Sequence, residues 1–97
     1  MTKNYYVNIM ANTHNTTLYI GVTNNLCRRV FEHKSNQISG FTKKYNCHKL
    51  VWYLQTDNVE SAITKEKQMK KWKREYKENV INAMNSDWID LYDELCS

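Results

Sequence analysis

The run from Thr17 to His33 constrains this chain most, because its apolar period changes from two to that of a helix across one glycine. Thr17-Leu18-Tyr19-Ile20 alternates in the manner of a short strand, Gly21 supplies a structural turn, and Asn24 or Asn25 is a ready helix cap. The helix that follows carries Leu26 and Val30 toward a core. At about 100° per residue, Arg29 and His33 lie one turn apart beside that apolar stripe. A strand-to-helix corner that gathers a tyrosine, Arg28, Arg29 and His33 is either a site or a surface helix whose arginine reaches out to water.

The remaining periodicity builds a small mixed domain around that corner. Tyr5 to Met10 alternates, with Tyr6, Asn8 and Met10 on one face and Tyr5, Val7 and Ile9 on the other. The polar residues 11–16 then turn this strand into the Tyr19 strand, which predicts a hairpin. His14 falls in the turn and is assigned no role. Lys49 to Leu54 is apolar on both faces, which predicts a third strand that is central or covered. With 97 residues, two glycines and no proline, the chain has no linker or repeat, so residues 1–97 read as a single domain. No apolar run approaches the roughly 20 residues of a membrane span, and the first residues lead directly into a strand. A cytoplasmic protein without a membrane partner is expected. Cys27, Cys47 and Cys96 have no metal-site spacing and are expected to be reduced thiols.

The second half holds an electrostatic anomaly. A capping box, Asp57-Asn58-Val59-Glu60, opens a long helix running from about Val59 to Trp72, with Val59, Ala62, Ile63 and Met69 as its apolar positions. Projected on the helix, Glu66 falls near the middle of that apolar stripe. A carboxylate there must be neutralised, paired with a cation such as Arg29, or bound to a metal. Residues 65–77 also hold half of the fourteen lysines and arginines, so the net charge of +4 is concentrated near the corner. That distribution favours a polyanionic partner. Farther on, residues 74–83 predict a helix with Tyr76, Val80 and Ala83 inward. Trp88, Leu91, Tyr92 and Leu95 predict a short helix after a break at Asn85.

Tyr19-Ile20-Gly21, then Arg29 and His33, resembles the second half of the GIY-YIG endonuclease signature. The segments 39–45 and 62–72 are similar to short single-domain members of that superfamily, so the resemblance spans nearly the whole chain. It implies an α/β fold of the α+β type: a small, mainly antiparallel three-stranded sheet flanked by three to five helices. It further implies metal-dependent hydrolysis of DNA, structure-selective and connected with repair or recombination, on branched or damaged forms. In that picture Glu66 binds a single Mg²⁺ or Mn²⁺, Arg29 steadies the phosphoryl oxygens, Tyr19 orients or deprotonates water, and His33 relays a proton or holds phosphate. Arg28, Lys43, Lys44, Lys70 and Lys73 contact the substrate backbone. The late-chain asparagine of the family falls on Asn85, with Asn82 as the alternative. All four principal groups are expected to lie across one sheet face.

One departure stands out. The tyrosine of the first half-motif falls on Asn8, and an amide cannot act as a base near neutrality, whereas a phenol of pKa about 10 can be poised to do so. Either Tyr19 works alone or with Tyr6, or the chain is a nucleic-acid-binding module with weakened catalysis. A third alternative is a small protein that presents its basic face to an acidic protein.

Overall fold

The computed structural model describes residues 3–35, 37 and 44–96. Strands β1 (Tyr5–Ala11), β2 (Leu18–Thr23) and β3 (Lys49–Thr56) form one antiparallel sheet in the order β2-β1-β3. Helix α1 (Leu26–Lys34) follows β2, and α2 (Val59–Lys70), α3 (Arg74–Met84) and α4 (Tyr92–Cys96) follow β3. The α+β architecture expected from the sequence is thus the one observed.

The N-terminal strand is central because both its faces are apolar enough to cover. Val7, Ile9 and Ala11 pack with Ile20, Val51 and Trp52 against Ala62 and Met69 of α2 and Ile81 of α3. On the other face, Met10 packs with Leu50 against Leu26 and Val30 of α1 and against Leu91. β3, expected to be central or covered, is an edge strand that is covered on both faces, with Leu50 buried on one side and Val51 and Trp52 on the other. A bulge adds to its continuous apolar run. Ile9 pairs with Trp52 but Met10 with Leu50, so Val51 is an extra residue, and the bulge sends Leu50 and Trp52 to opposite faces.

Local chemistry fixes the corners. Asn25 caps α1, its side chain accepting from the Arg28 N–H at 3.1 Å. The β1–β2 turn is held by Asn12 Oδ1, which accepts from the N–H groups of Thr16 at 2.8 Å and Thr17 at 3.0 Å. Arg74, at the start of α3, donates to the carbonyls of Thr16 and Asn15 and so ties this turn to the helical layer. Asn58 caps α2 by accepting from the Ser61 N–H at 3.0 Å, which replaces the expected Asp57 box.

Three further expectations change. The long helix stops at Lys70 instead of Trp72, and Val59 and Ile63 are exposed, so Ala62 and Met69 carry its buried face. In α3 the buried residue is Ile81, whereas Tyr76 and Ala83 are exposed. Trp88 adopts a left-handed backbone at φ 53°, so the last helix begins only at Tyr92.

The expectation of reduced thiols is corrected for two of the three cysteines. Cys27 in α1 and Cys96 in α4 are joined by a disulfide across 69 residues of chain, while Cys47 is free and buried. Neither bonded cysteine has a local partner, so spacing carried no sign of the bond.

Candidate active site

The site begins with the pairing of Asn8 and Gly21 across β1 and β2. Directly paired residues share a face, so Asn8, Gly21 and Tyr19 look toward α1. A Cβ on Gly21 would lie 3.2 Å from Tyr19 Cε1 and 3.6 Å from Asn8 Oδ1. Glycine therefore lets the phenol ring lean over the strand toward the Asn8 amide.

From the other side, α1 contributes His33. Leu26, Val30 and His33 follow one another at helical spacing and are all buried, so the imidazole extends an apolar stripe. Its ring centroid lies 5.6 Å from that of Tyr19, with the planes tilted by 57°. His33 is 2% exposed, and neither ring nitrogen has a hydrogen-bond partner among the described residues. Burial, and then the charge of Arg29, lower its pKa from 6.5 to about 4, with His48 adding a smaller push and Glu32 opposing. The imidazole is therefore neutral at pH 7, with one nitrogen able to accept and the other to donate.

Two more polar groups converge here without partners. Asn8 is 1% exposed, and both its amide oxygen and nitrogen lack hydrogen bonds among the described residues. Arg29 Nε is buried and makes no hydrogen bond; Glu32 Oε1 is 3.6 Å away as an ion pair. Buried polar groups are ordinarily satisfied, and leaving one unmet costs roughly 1–3 kcal/mol. Asn8, Arg29 and His33 thus each place a polar atom without a hydrogen bond on the α1 side of the sheet, at a cost in stability.

Glu66 approaches from elsewhere. The expectation of a site across one sheet face is corrected: α1 packs on the face of Met10, whereas α2 packs on the face of Val7 and Ile9. Helices α2 and α3 both reach β2, the strand that carries Tyr19. Lys70 of α2 and Lys77 of α3 line a depression of about 240 Å³ with Leu18, Tyr19 and Ile20, and Lys70 Nζ lies 2.9 Å from Glu66 Oε1. Glu66 sits between buried Ala62 and Met69, its side chain 14% exposed, as the stripe projection expects. Its cation is Lys70 and not Arg29.

The other candidates are dispersed. Tyr6 shares the face of Asn8 but lines a separate hollow with Asn24, Asn25 and Tyr53 beside the start of α1. Arg28 is exposed, and Lys73 is exposed where α2 gives way to α3. Lys44 lies over the Tyr45 ring, its Nζ 5.3 Å from the centroid. Lys43 lies outside the described residues. The Asn85 amide is occupied by backbone: it donates to the Val51 carbonyl at 3.2 Å and the Ile89 carbonyl at 2.8 Å, and accepts from the Ile89 N–H at 3.2 Å. Asn82 accepts from the Trp88 indole at 2.6 Å. Lys77 escaped the sequence reading because the helix break at Trp72 removes any fixed phase between it and Lys70.

Comparison with known proteins bears on the family and the fold. The chain matches the family model of the GIY-YIG catalytic domain over residues 4–79. The solution NMR structure of a UPF0213 protein from Bacillus halodurans is similar, with a TM-score of 0.57 at 23% identity, covering 97% of this chain and 98% of that one. At that identity the likeness concerns the fold. No curated protein matches the chain. The matched span runs from the residue before β1 into the middle of α3 and takes in Asn8, Tyr19, Arg29, His33 and Glu66, so the chain belongs to the GIY-YIG catalytic-domain family, a nuclease-type fold.

Proposed function

We propose that the chain is an endonuclease that hydrolyses DNA phosphodiesters with the help of one divalent cation, acting as a single domain. The observation that carries this reading is the pairing of Tyr19 with a buried, neutral His33 whose nitrogens have no partner among the described residues. A core histidine would ordinarily be satisfied; a neutral one left without partners beside a phenol is suited to holding that hydroxyl, or a water on it, by hydrogen bonding.

Glu66 fits a hard cation. No group of three or more His, Cys, Asp or Glu side chains gathers among the described residues. One carboxylate, with waters and substrate oxygens completing the shell, is coordination that Mg²⁺ or Mn²⁺ accepts. When bound, such an ion supplies charge neutralisation at the scissile phosphate and its leaving oxygen.

The chain's own residues divide the remaining work. The Tyr19 hydroxyl orients the attacking water, and a neutral His33 nitrogen accepts a hydrogen bond from that hydroxyl and so fixes its direction. Arg29, whose Nε lacks a hydrogen bond, donates to the phosphoryl oxygens where charge accumulates. Asn8 can donate to a phosphate oxygen or hold a water, but it cannot serve as a base. Arg28, Lys44, Lys70 and Lys73 hold flanking phosphates, and Lys43 joins them in this reading.

Incubation with supercoiled plasmid and with short branched duplexes, in Mg²⁺, Mn²⁺ or EDTA, tests the proposal. Metal-dependent cleavage that disappears in Glu66→Ala is expected; cleavage that persists in EDTA or in that variant refutes it. Preference for the branched duplexes would extend the reading to repair or recombination. Cytoplasmic action belongs to the same reading. In that reducing compartment the Cys27–Cys96 bond would be open to reduction, so both redox states are to be assayed.

A second reading rests on Asn8. If its amide has replaced a needed phenol, the chain binds nucleic acid without cutting, and Asn8→Tyr is expected to gain cleavage. If wild type and Asn8→Tyr are both silent and neither binds nucleic acid at low salt, both nucleic-acid readings fail and only the fold stands.

A further inference from the structure

Glu66 already has a cation. Lys70 Nζ lies 2.9 Å from its Oε1, one helical turn away, with the lysine side chain 52% exposed and the carboxylate 14%. An exposed glutamate–lysine pair of this spacing is a routine helix-surface contact. Here the carboxylate is largely withdrawn from water between Ala62 and Met69, so the ammonium supplies charge compensation that water cannot. The ammonium is also placed to leave. Its side chain borders the depression formed by Leu18, Tyr19, Ile20 and Lys77 along the outer edge of β2, where a substrate strand running past Tyr19 would set a phosphate between two lysines.

We propose that Lys70 is an exchangeable counter-cation of Glu66, drawn onto a substrate phosphate beside Lys77 so that the carboxylate is released to the divalent ion and the two ligands bind cooperatively. The inference rests on the nuclease reading above. Its physical content is competition: one carboxylate cannot present the same oxygen to an ammonium and to a metal without loss to both. A phosphodiester relieves that competition by offering Lys70 another anion. By linkage, the factor by which nucleic acid tightens metal binding equals the factor by which metal tightens nucleic-acid binding.

Mn²⁺ affinity, followed by water-proton relaxation with and without a short duplex, tests this. Glu66→Gln provides the baseline that subtracts Mn²⁺ held by the duplex itself. Without duplex, Lys70→Gln is expected to bind Mn²⁺ about fivefold more tightly than wild type, and Lys70→Arg to stay near wild type. With duplex, wild type should tighten while Lys70→Gln changes little. Equal Mn²⁺ affinity in wild type and Lys70→Gln, or equal tightening by duplex in both, overturns the exchange while leaving the nuclease reading in place. If Glu66→Gln binds Mn²⁺ as well as wild type does, the metal assignment itself fails and the exchange fails with it.

Discussion

Tyr19 and His33, one from an edge strand and one from the helix that follows it, meet with their ring centroids 5.6 Å apart. The contact joins the two halves of the strand-to-helix corner, and it is made on the buried side of α1, where an imidazole is costly to charge.

That cost sets a pH dependence. The His33 pKa is about 4 in the folded chain and 6.5 ordinarily, so the unfolded chain takes up the proton first as the pH falls. The contribution of His33 to stability is intact above pH 6.5 and is lost progressively between pH 6.5 and 4, reaching about 3 kcal/mol at the lower end. His33→Gln removes the titration. Urea unfolding at pH 7 and pH 4.5 should therefore show wild type losing about 2–3 kcal/mol more than the variant; equal losses would contradict a neutral, buried imidazole.

Gly21→Ala is a probe of ring placement. The glycine is required by close approach, since its Cβ would sit 3.2 Å from Tyr19 Cε1. The ring lies at the end of a side chain and can yield a few tenths of an ångström. Stability is expected to change by less than about 1 kcal/mol, while cleavage falls roughly tenfold because the phenol is displaced. Thermal unfolding and plasmid nicking separate the two, and unchanged nicking would remove Tyr19 position from the mechanism.

Asn8→Leu should make the protein more stable. It replaces a fully buried amide with two unmet hydrogen-bonding atoms by an apolar group of similar size. A gain of about 1 kcal/mol in urea unfolding is expected, together with loss of activity. A destabilised variant would mean that the amide is satisfied in solution by a bound water.

Thiol titration in denaturant checks the covalent tether. One reactive group, Cys47, is expected before reduction and three after it. Opening a loop of this length costs up to about 4 kcal/mol in the chain-entropy account, so reduction should lower the melting temperature markedly. Three thiols without reductant would show that the Cys27–Cys96 bond is absent.

Much of this arrangement could be read from residue order alone, for identifiable reasons. Period-two alternation in β1 assigned Asn8 to the face of Tyr6 and Met10, and helical spacing placed His33 with Leu26 and Val30 and put Glu66 between Ala62 and Met69. These are properties of one element at a time. What escaped were relations between elements. The bulge at Val51 gave an edge strand the apolar run of a covered one, and α1 and α2 took opposite faces of the sheet, so His33 and Glu66 approach it from opposite sides. The partner of Glu66 was misjudged for a similar reason: Lys70 was available locally, and a neighbour one turn away forms a pair without any tertiary fold.

The middle position of β1 also has a bearing on how the protein is born. Residues 5–11 leave the ribosome before either of their pairing partners, and one of those, β3, ends only at Thr56. The β1–β2 hairpin can close early, bringing Asn8 against Gly21 while half of the central strand still presents open hydrogen-bonding groups to the surroundings. For the time needed to synthesise residues 24–56, at about 5–20 residues per second, the nascent chain carries the tyrosine half of its site on an unfinished edge. Chaperone contact, or capture by another strand, would act in that interval of a few seconds.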